Sequence, residues 1–229
     1  MIDIHSHVIP FVDDGSKSME SSLSMIKTAE KCGVTDIICT PHYRRSMFET
    51  PKDKILENFE RLKAANETSV KLHIGQEIAY DPKIFDKLKN GEILTYCGTD
   101  HILLEFSYTD FVDISGIVFE SKLHGYKPVI AHIERYEYLS LEDVEELHNG
   151  GALIQVNADS LFFGSRYRGV ALKYLKNDLV DFIANDVHSG RKYLMDKAYS
   201  LIKRKYKIDR ADRLFIDNPR LLIEEKPVR

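Results

Sequence analysis

Long apolar runs, a basic excess, paired cysteines and spacer-like segments are all missing from this sequence. Each absence removes a class of protein. No apolar stretch approaches the roughly 18 residues that a membrane-spanning helix needs, and the N-terminus has neither the basic region nor the apolar run of a signal peptide. Direct membrane insertion is therefore not expected. The formal net charge is −4, so the chain carries no electrostatic footprint for nucleic acid. The 3 cysteines, Cys32, Cys39 and Cys97, are odd in number, widely spaced and form no C-x-x-C pair. That usage fits a reducing, cytoplasmic compartment. Linkers rich in Gly, Ser or Pro and low-complexity segments are also lacking, so we expect one domain over residues 1–229.

What is present is the balance of a globular chain, 43% hydrophobic and 30% charged, with one pattern repeated along it. Short runs of Ile, Val and Leu alternate with polar segments of helical period. Strands are expected at Ile2–His7, Asp36–His42, Lys71–Ile78, Ile102–Phe106, Pro128–Ile133, Leu153–Asn157 and Asp181–His188. Helices are expected at Ser18–Lys31, Pro51–Ala65, Phe111–His124, Leu141–His148, Arg166–Lys176 and Arg191–Lys205, with a last one after Asn218-Pro219. The alternation predicts a parallel sheet covered by helices, either open or closed into a barrel.

The polar residues discriminate between the two. His5 and His7 close the first expected strand, His42 the second, Glu77 the third, Glu105 the fourth and His132 the fifth, while Asp186 and His188 close the seventh and Asp14 follows the first. Residues i and i+2 of a strand share a face, so His5 with His7, and Asp186 with His188, can reach one point. A closed (β/α) barrel brings all its strand ends to one mouth, whereas an open sheet would string them along a line. Imidazoles and carboxylates without a thiolate suit Mn, Fe, Zn or Co. These donors exceed the needs of one ion and could serve two or three, the usual apparatus of phosphate-ester hydrolysis. His73, His101, His124 and His148 lie away from the expected mouth and are read as structural. "CTPHYRR" satisfies C-x5-R with Cys39 and Arg45, the spacing of a thiolate phosphate loop. It has no glycine for a backbone cradle, and its cysteine lies in an apolar strand, so the thiolate reading is set aside.

The stretches "MIDIHSHVIPFVDDGSKS", "CTPHYRRSMFETPKDKILENF", "LLEFS", "PVIAHIERY", "IQVNADS", "ANDVHSGRKY" and "LFIDNPRLLI" span almost the whole chain. Together they resemble the polymerase-and-histidinol-phosphatase (PHP) family. Within it they are similar to bacterial capsular-polysaccharide, manganese-dependent protein-tyrosine phosphatases. The resemblance implies a distorted seven-stranded (β/α) barrel of TIM-like α/β class with its metal site at the C-terminal mouth. It implies His5, His7, Glu77 and Asp186 on a first ion, Glu77, Glu105 and His132 on a second, and Asp14, His42 and His188 on a third. Arg135 in "HIERY" would contact phosphate, and Arg191 corresponds to a second family arginine in a loop that is shorter here; Arg44 and Arg45 are further candidates. The implied chemistry is hydrolysis of phosphotyrosine by a hydroxide held between ions, most simply Mn²⁺, with no covalent phosphoenzyme. Asp14 or a bound water would protonate the leaving phenol. The implied partner is a bacterial tyrosine kinase that controls capsule or exopolysaccharide synthesis, its tyrosine-rich tail entering past an aromatic rim of Tyr43, Phe48, Tyr108 and Phe111. The rival readings are a histidinol-phosphate or other small-molecule phosphatase, an amidohydrolase and a non-catalytic metal-binding adaptor.

Overall fold

Apolar runs and amphipathic stretches become parallel strands and covering helices in a computed structural model that describes residues 1–224. The strands are β1 (Ile2–Ser6), β2 (Asp36–Cys39), β3 (His42–Tyr43), β4 (Lys71–Ile74), β5 (Glu77–Ala79), β6 (His101–Glu105), β7 (Lys127–Ile130), β8 (Leu153–Asn157) and β9 (Phe182–Ala184). β1 pairs with β2, β2 with β4, β3 with β5, and β5 through β9 pair in sequence order, all parallel. The ring closes between its first and last strands. Asp186 N–H donates to His5 O at 2.9 Å and His7 N–H to Val187 O at 3.0 Å, beside a Ser6–Val187 bridge.

Two of the expected strands are each broken in two. Residues 36–42 part at Thr40-Pro41, because Pro41 has no N–H to give to a ladder. Residues 71–78 part at Gly75-Gln76, where an added Cβ would come within 3.2 Å of the Tyr96 ring. The halves keep the same neighbours, β2 against β4 and β3 against β5, so seven staves remain. His42 and Glu77 thus begin short second segments rather than end long first ones, and they face each other in register.

The helices α1 (Met19–Lys31), α2 (Lys52–Ala65), α3 (Ile84–Lys89), α4 (Ile114–Leu123), α5 (Leu141–Asn149), α6 (Arg168–Lys176), α7 (Met195–Tyr206), α8 (Ile208–Asp212) and α9 (Asn218–Glu224) complete the described chain. Ser18 caps α1 by accepting from Ser21 N–H at 3.1 Å, and Met25, Ile26 and Ala29 form its buried face. Ser140 and Asp143 form a reciprocal capping box on α5. α4 and α7 begin later than expected, at Ile114 instead of Phe111 and at Met195 instead of Arg191. The residues before them belong to loops at the mouth. The short α3 and α8 were not anticipated, since fewer than two turns leave little periodicity to read.

Most of the core lies between helices and sheet. A smaller inner cluster fills the barrel floor: Ile2, Ile4, Ile38, Leu103, Val129 and Phe182, closed by Tyr96 and by Leu222 of α9. β1 takes part in both floor and mouth because its register slips. Asp3 pairs with Ile37 but Ser6 with Cys39, three residues against two. This bulge reverses the side-chain parity. Ile2 and Ile4 therefore join the inner floor, and His5 and His7 still face the mouth above them.

Candidate metal centre

Glu77 is the hub of the mouth. Its Oε2 lies 3.2 Å from His5 Nε2, 3.2 Å from His7 Nε2 and 2.9 Å from His42 Nδ1, and its Oε1 lies 3.0 Å from His132 Nε2. Asp186 Oδ1 is 3.6 Å from His5 Nε2 and 3.5 Å from His7 Nε2. Glu105 approaches His132 at 3.8 Å and His42 at 3.9 Å. Asp14 Oδ1 stands 3.4 Å from His188 Nε2 and 3.6 Å from His42 Nε2. All nine sequence-selected donors are thus brought together. Three subsets converge closely enough to share an ion: His5, His7 and Glu77; His42, Glu77 and Glu105; and His7, Asp14, His42 and His188. The membership differs from the expected sets: Asp186 and His132 fall outside these three tight subsets, His42 joins Glu77 and Glu105, and His7 joins Asp14, His42 and His188. His7 and His42 each present donors to two subsets, because their rings sit 4.4 Å apart in the middle of the mouth.

The partners behind these rings fix which nitrogen faces inward. His5 Nδ1–H donates to Gln155 Oε1 at 3.1 Å, and His7 Nδ1–H donates to Asp13 Oδ2 at 2.8 Å. His188 Nδ1–H donates to Asp186 O at 3.2 Å. Each hydrogen bond consumes the outer proton and leaves the Nε2 lone pair for the centre, the usual arrangement behind metal-bound imidazoles. Asp13 also accepts from His42 N–H at 3.0 Å and from Gly15 N–H at 2.9 Å. Gly15 lets this loop press on His7: a Cβ there would fall 2.4 Å from His7 Cβ. Asn157 Nδ2 donates to Asp186, and Gln155 Nε2 to Asn157, which ties β8 to the centre. Asp3 accepts from His5 N–H, Asn185 N–H and the Tyr193 hydroxyl, which braces the β1 bulge.

Two of the donors sit on unusual backbone. His132 and Asp186 have φ of +35° and +51°, in the left-handed region that non-glycine residues rarely occupy. Asp186 and His188 lie beyond β9, so they do not converge by strand parity. The left-handed turn at Asp186 brings them together.

The donor set fits divalent cations. His42 Nδ1, Glu77 Oε2 and Glu105 Oε2 are buried and make no hydrogen bond, although His42 Nδ1 and Glu77 Oε2 are only 2.9 Å apart. Buried electron-pair donors facing one another need a cation or a proton between them. The electrostatics say the same. Burial opposes charge on Glu77, but His5 and His42 outweigh it and hold the carboxyl well below its ordinary range. Burial likewise opposes charge on Asp186, and His5, His7 and Arg135 outweigh it. For His7 burial is outweighed by Asp13, Asp186 and Glu77, so its pKa rises well above the ordinary imidazole value. His188, stacked on His7 at 4.1 Å, is pushed down to about 4 by burial and by that neighbour.

The arginines divide. Arg135 Nη2 pairs with Asp186 Oδ2 at 3.0 Å, and Arg191 Nη1 reaches Asp186 O at 3.2 Å. Both line a cavity of about 220 Å³ together with Asp14, His42, Glu77, Glu105, His132 and His188. Arg44 lines it too, whereas Arg45 lies outside it and pairs with Asp81 at 3.1 Å. No lysine lines this cavity, so the bridging lysine of an amidohydrolase site has no counterpart there. Cys39 is fully buried, and burial raises its thiol far above the ordinary range, so no thiolate is available. The expected aromatic rim needs one correction. Tyr43 is buried in the outer core, with Lys87 over its ring. Phe48 stacks on His42, Phe111 is exposed, and Tyr108 donates its hydroxyl proton to Glu105 Oε1 at 2.6 Å. The remaining histidines keep structural roles: His73 pairs with Asp36, His124 stacks on Phe85, His148 pairs with Asp181 and His101 packs beside Thr99.

Asp13, Gln155 and Asn157 escaped the sequence reading. Asp13 adjoins the selected Asp14, and nothing in "DDG" says which aspartate faces inward. Gln155 and Asn157 alternate on β8 as His5 and His7 do on β1, a signal that was present but carried by amides rather than by recognised ligand types.

Comparison with known proteins agrees with this geometry. The tyrosine-protein phosphatase CpsB of Streptococcus pneumoniae is 39% identical over 99% of this chain and 99% of its own length. The solved structures of YwqE from Bacillus subtilis and CpsB from Streptococcus pneumoniae, described as unique metal-dependent tyrosine phosphatases, include a chain that superposes with a TM-score of 0.92 at 26% identity, covering 99% of this chain and 95% of that one. Histidinol phosphate phosphatase from Lactococcus lactis shares the fold alone, with a TM-score of 0.58 at 13% identity over 93% of this chain and 94% of that one. The family of capsular polysaccharide synthesis proteins CpsB/CapC matches residues 1–224, and the chain belongs to that family.

Proposed function

We propose that this protein is a metal-dependent tyrosine-protein phosphatase acting in capsular polysaccharide synthesis, and that its centre holds two or three divalent ions, Mn²⁺ first among them with Fe, Zn and Co as alternatives. The observation that carries this is the buried ring of lone pairs around Glu77, with Arg135 beside it. His5, His7, Glu77 and Asp186 would hold one ion, Glu77, Glu105, His132 and His42 a second, and Asp14, His42 and His188 a third. When bound, such ions supply Lewis acidity toward phosphoryl oxygens and lower the pKa of water to near neutrality.

The chain's own residues do the rest. Arg135 and Arg191 would grip phosphoryl oxygens, a reading supported by their contacts to Asp186 beside the centre, with Asp186 orienting the Arg135 guanidinium. Asp13, Gln155 and the His188 contact to Asp186 O hold the imidazoles in one tautomer, so the donors need no rearrangement on binding. Phenol has an ordinary pKa of about 10 and is a modest leaving group. Asp14, half exposed at the rim beside His42 and His188, carries no proton while it holds the third ion, so the phenolate would take its proton from a water at the rim. The substrate would be a phosphotyrosyl segment of a cognate bacterial tyrosine kinase, in a cytoplasmic setting. Among the described residues no helix is long and apolar enough to cross a membrane.

The deciding experiment strips the protein with a chelator and assays a phosphotyrosyl peptide and histidinol phosphate, with Mn²⁺, Fe²⁺, Zn²⁺ or Co²⁺ restored, running Cys39→Ser in parallel. Peptide hydrolysis should vanish on stripping, return with metal and survive Cys39→Ser. Loss of activity in Cys39→Ser with indifference to stripping would restore the thiolate reading. Preference for histidinol phosphate would move the substrate to the small-molecule class.

A further inference from the structure

Tyr108 stands between two larger cavities that both open onto the metal centre. One, of about 620 Å³, shares Glu105, Tyr108 and Arg44 with it. The other, of about 670 Å³, shares Tyr108, Arg135 and Arg191. Their charges differ. In the first, Arg45 pairs with Asp81 at 3.1 Å, and the lining as a whole sets two arginines, Arg44 and Arg45, against two carboxylates, Asp81 and Glu105. The second is lined by Arg135, Arg166, Arg191, Lys192 and Lys197, against one acidic side chain, Asp159. Arg135 answers to Asp186 and Arg166 to Glu137, which leaves Lys192 and Lys197 facing the groove without an ion-pair partner among the salt bridges of the described residues. This excess of cations is local, because the chain as a whole carries −4. The same groove presents Phe163, 97% exposed, from the loop that follows β8.

A phosphotyrosyl side chain seated at the centre must send its backbone out past Tyr108. One flank then lies over a balanced surface and the other over a cationic one with an exposed aromatic ring. We propose that the groove between Phe163 and Lys197 is a substrate subsite that binds an anionic side chain, carboxylate or phosphoryl, on one flank of the phosphotyrosine. The proposal rests on the reading of the centre as one that acts on phosphotyrosyl protein. The selectivity comes from Coulomb attraction at a partly exposed surface, so it acts on capture of the peptide and weakens with salt.

The test uses the metal-loaded protein and a set of matched peptides with one phosphotyrosine each. One peptide has neutral flanks, one has two glutamates on the N-terminal side and one has them on the C-terminal side. A further pair carries a second phosphotyrosine in place of the glutamates, and p-nitrophenyl phosphate serves as the flankless control. The proposal expects one acidic flank, and not the other, to raise kcat/KM by about 5- to 10-fold through KM, the size of a few exposed ion pairs. Lys192→Glu/Lys197→Glu should abolish that preference and leave hydrolysis of p-nitrophenyl phosphate unchanged; Lys197→Ala, on the exposed face of α7, should halve it or more. A response to phosphotyrosine alone, or to glutamate as well, tells which anion the groove takes. Equal kcat/KM for all flanks, or a preference that survives both variants, overturns the subsite. Hydrolysis of p-nitrophenyl phosphate with none of the peptides cleaved, the neutral one included, overturns instead the phosphotyrosyl reading beneath it.

Discussion

The two ends of this barrel are built from the same strands and obey opposite rules. At the floor, Ile2, Ile4, Leu103, Val129 and Phe182 meet as an apolar plug under Tyr96 and Leu222. At the mouth, one to five residues further along the chain, His5, His7, His132 and Asp186, joined by Glu77 of β5, are equally buried but polar. Burial at the floor releases apolar surface from water and stabilises the fold. Burial at the mouth desolvates charges and lone pairs, at a cost that is recovered only through pairing or a bound cation. Equal burial therefore has opposite meaning: stability at one end, and stored affinity for cations at the other.

Substitutions should separate the two ends. Glu77→Ala removes the oxygen that faces three imidazoles, and we expect at least about a 1,000-fold loss of phosphatase activity with an unchanged far-ultraviolet circular dichroism spectrum. Retained activity would show that the mouth does not work around Glu77. Phe182→Ala at the floor should do the reverse. It should cost about 3–5 kcal/mol of stability, read from chemical denaturation, while the folded, metal-saturated protein keeps kcat within about twofold.

Smaller effects sharpen the boundary. Asp13→Ala leaves every direct donor in place but frees His7 to turn, so metal affinity should fall about 10- to 100-fold in a calorimetric titration, with full activity restored at saturating metal. An unchanged affinity would show that Gly15 and the loop alone hold the ring. The smallest effect lies outside both ends. His148 donates its Nε2–H to the Asp181 carboxylate, and this contact, ahead of burial, raises the imidazole pKa above its ordinary value. A proton held more tightly in the folded state contributes stability that is complete below about pH 6.5 and is lost as pH rises through the folded value. His148→Gln should therefore flatten, slightly, the fall in stability as pH rises above about 6.5, read by chemical denaturation at a series of pH values.

Much of this was legible from residue order. The run "DIHSH" announces a strand carrying ligand types, and α1 is readable from Ser18 to Gly33 because cap, amphipathic face and stop agree. The positions of His42 and Glu77 were legible but not their setting, since the strand breaks depend on Pro41 and on Gly75 packing against Tyr96. Arg135 and Arg45 look alike as basic residues after a strand end. One pairs with Asp186 inside the mouth and the other with Asp81 outside it, and no local pattern distinguishes them. Tyr43 fails as a rim residue for the same reason: strand β3 is too short for alternation to say which way it points.

The sequence by itself determined the alternating parallel architecture, the chemical identity of the donors and the unsuitability of Cys39, because these follow from local periodicity and residue type. The tertiary structure decided the rest. The bulge between Asp3 and Ser6 sets which residues of β1 form the floor and which the centre, and the left-handed turn at Asp186 carries that carboxylate to the histidines. The first is a slip against β2, some 35 positions away, and the second rests on ring closure between β1 and the segment after β9, residues some 180 positions apart. Periodicity along a chain cannot register a parity change that only a distant strand imposes.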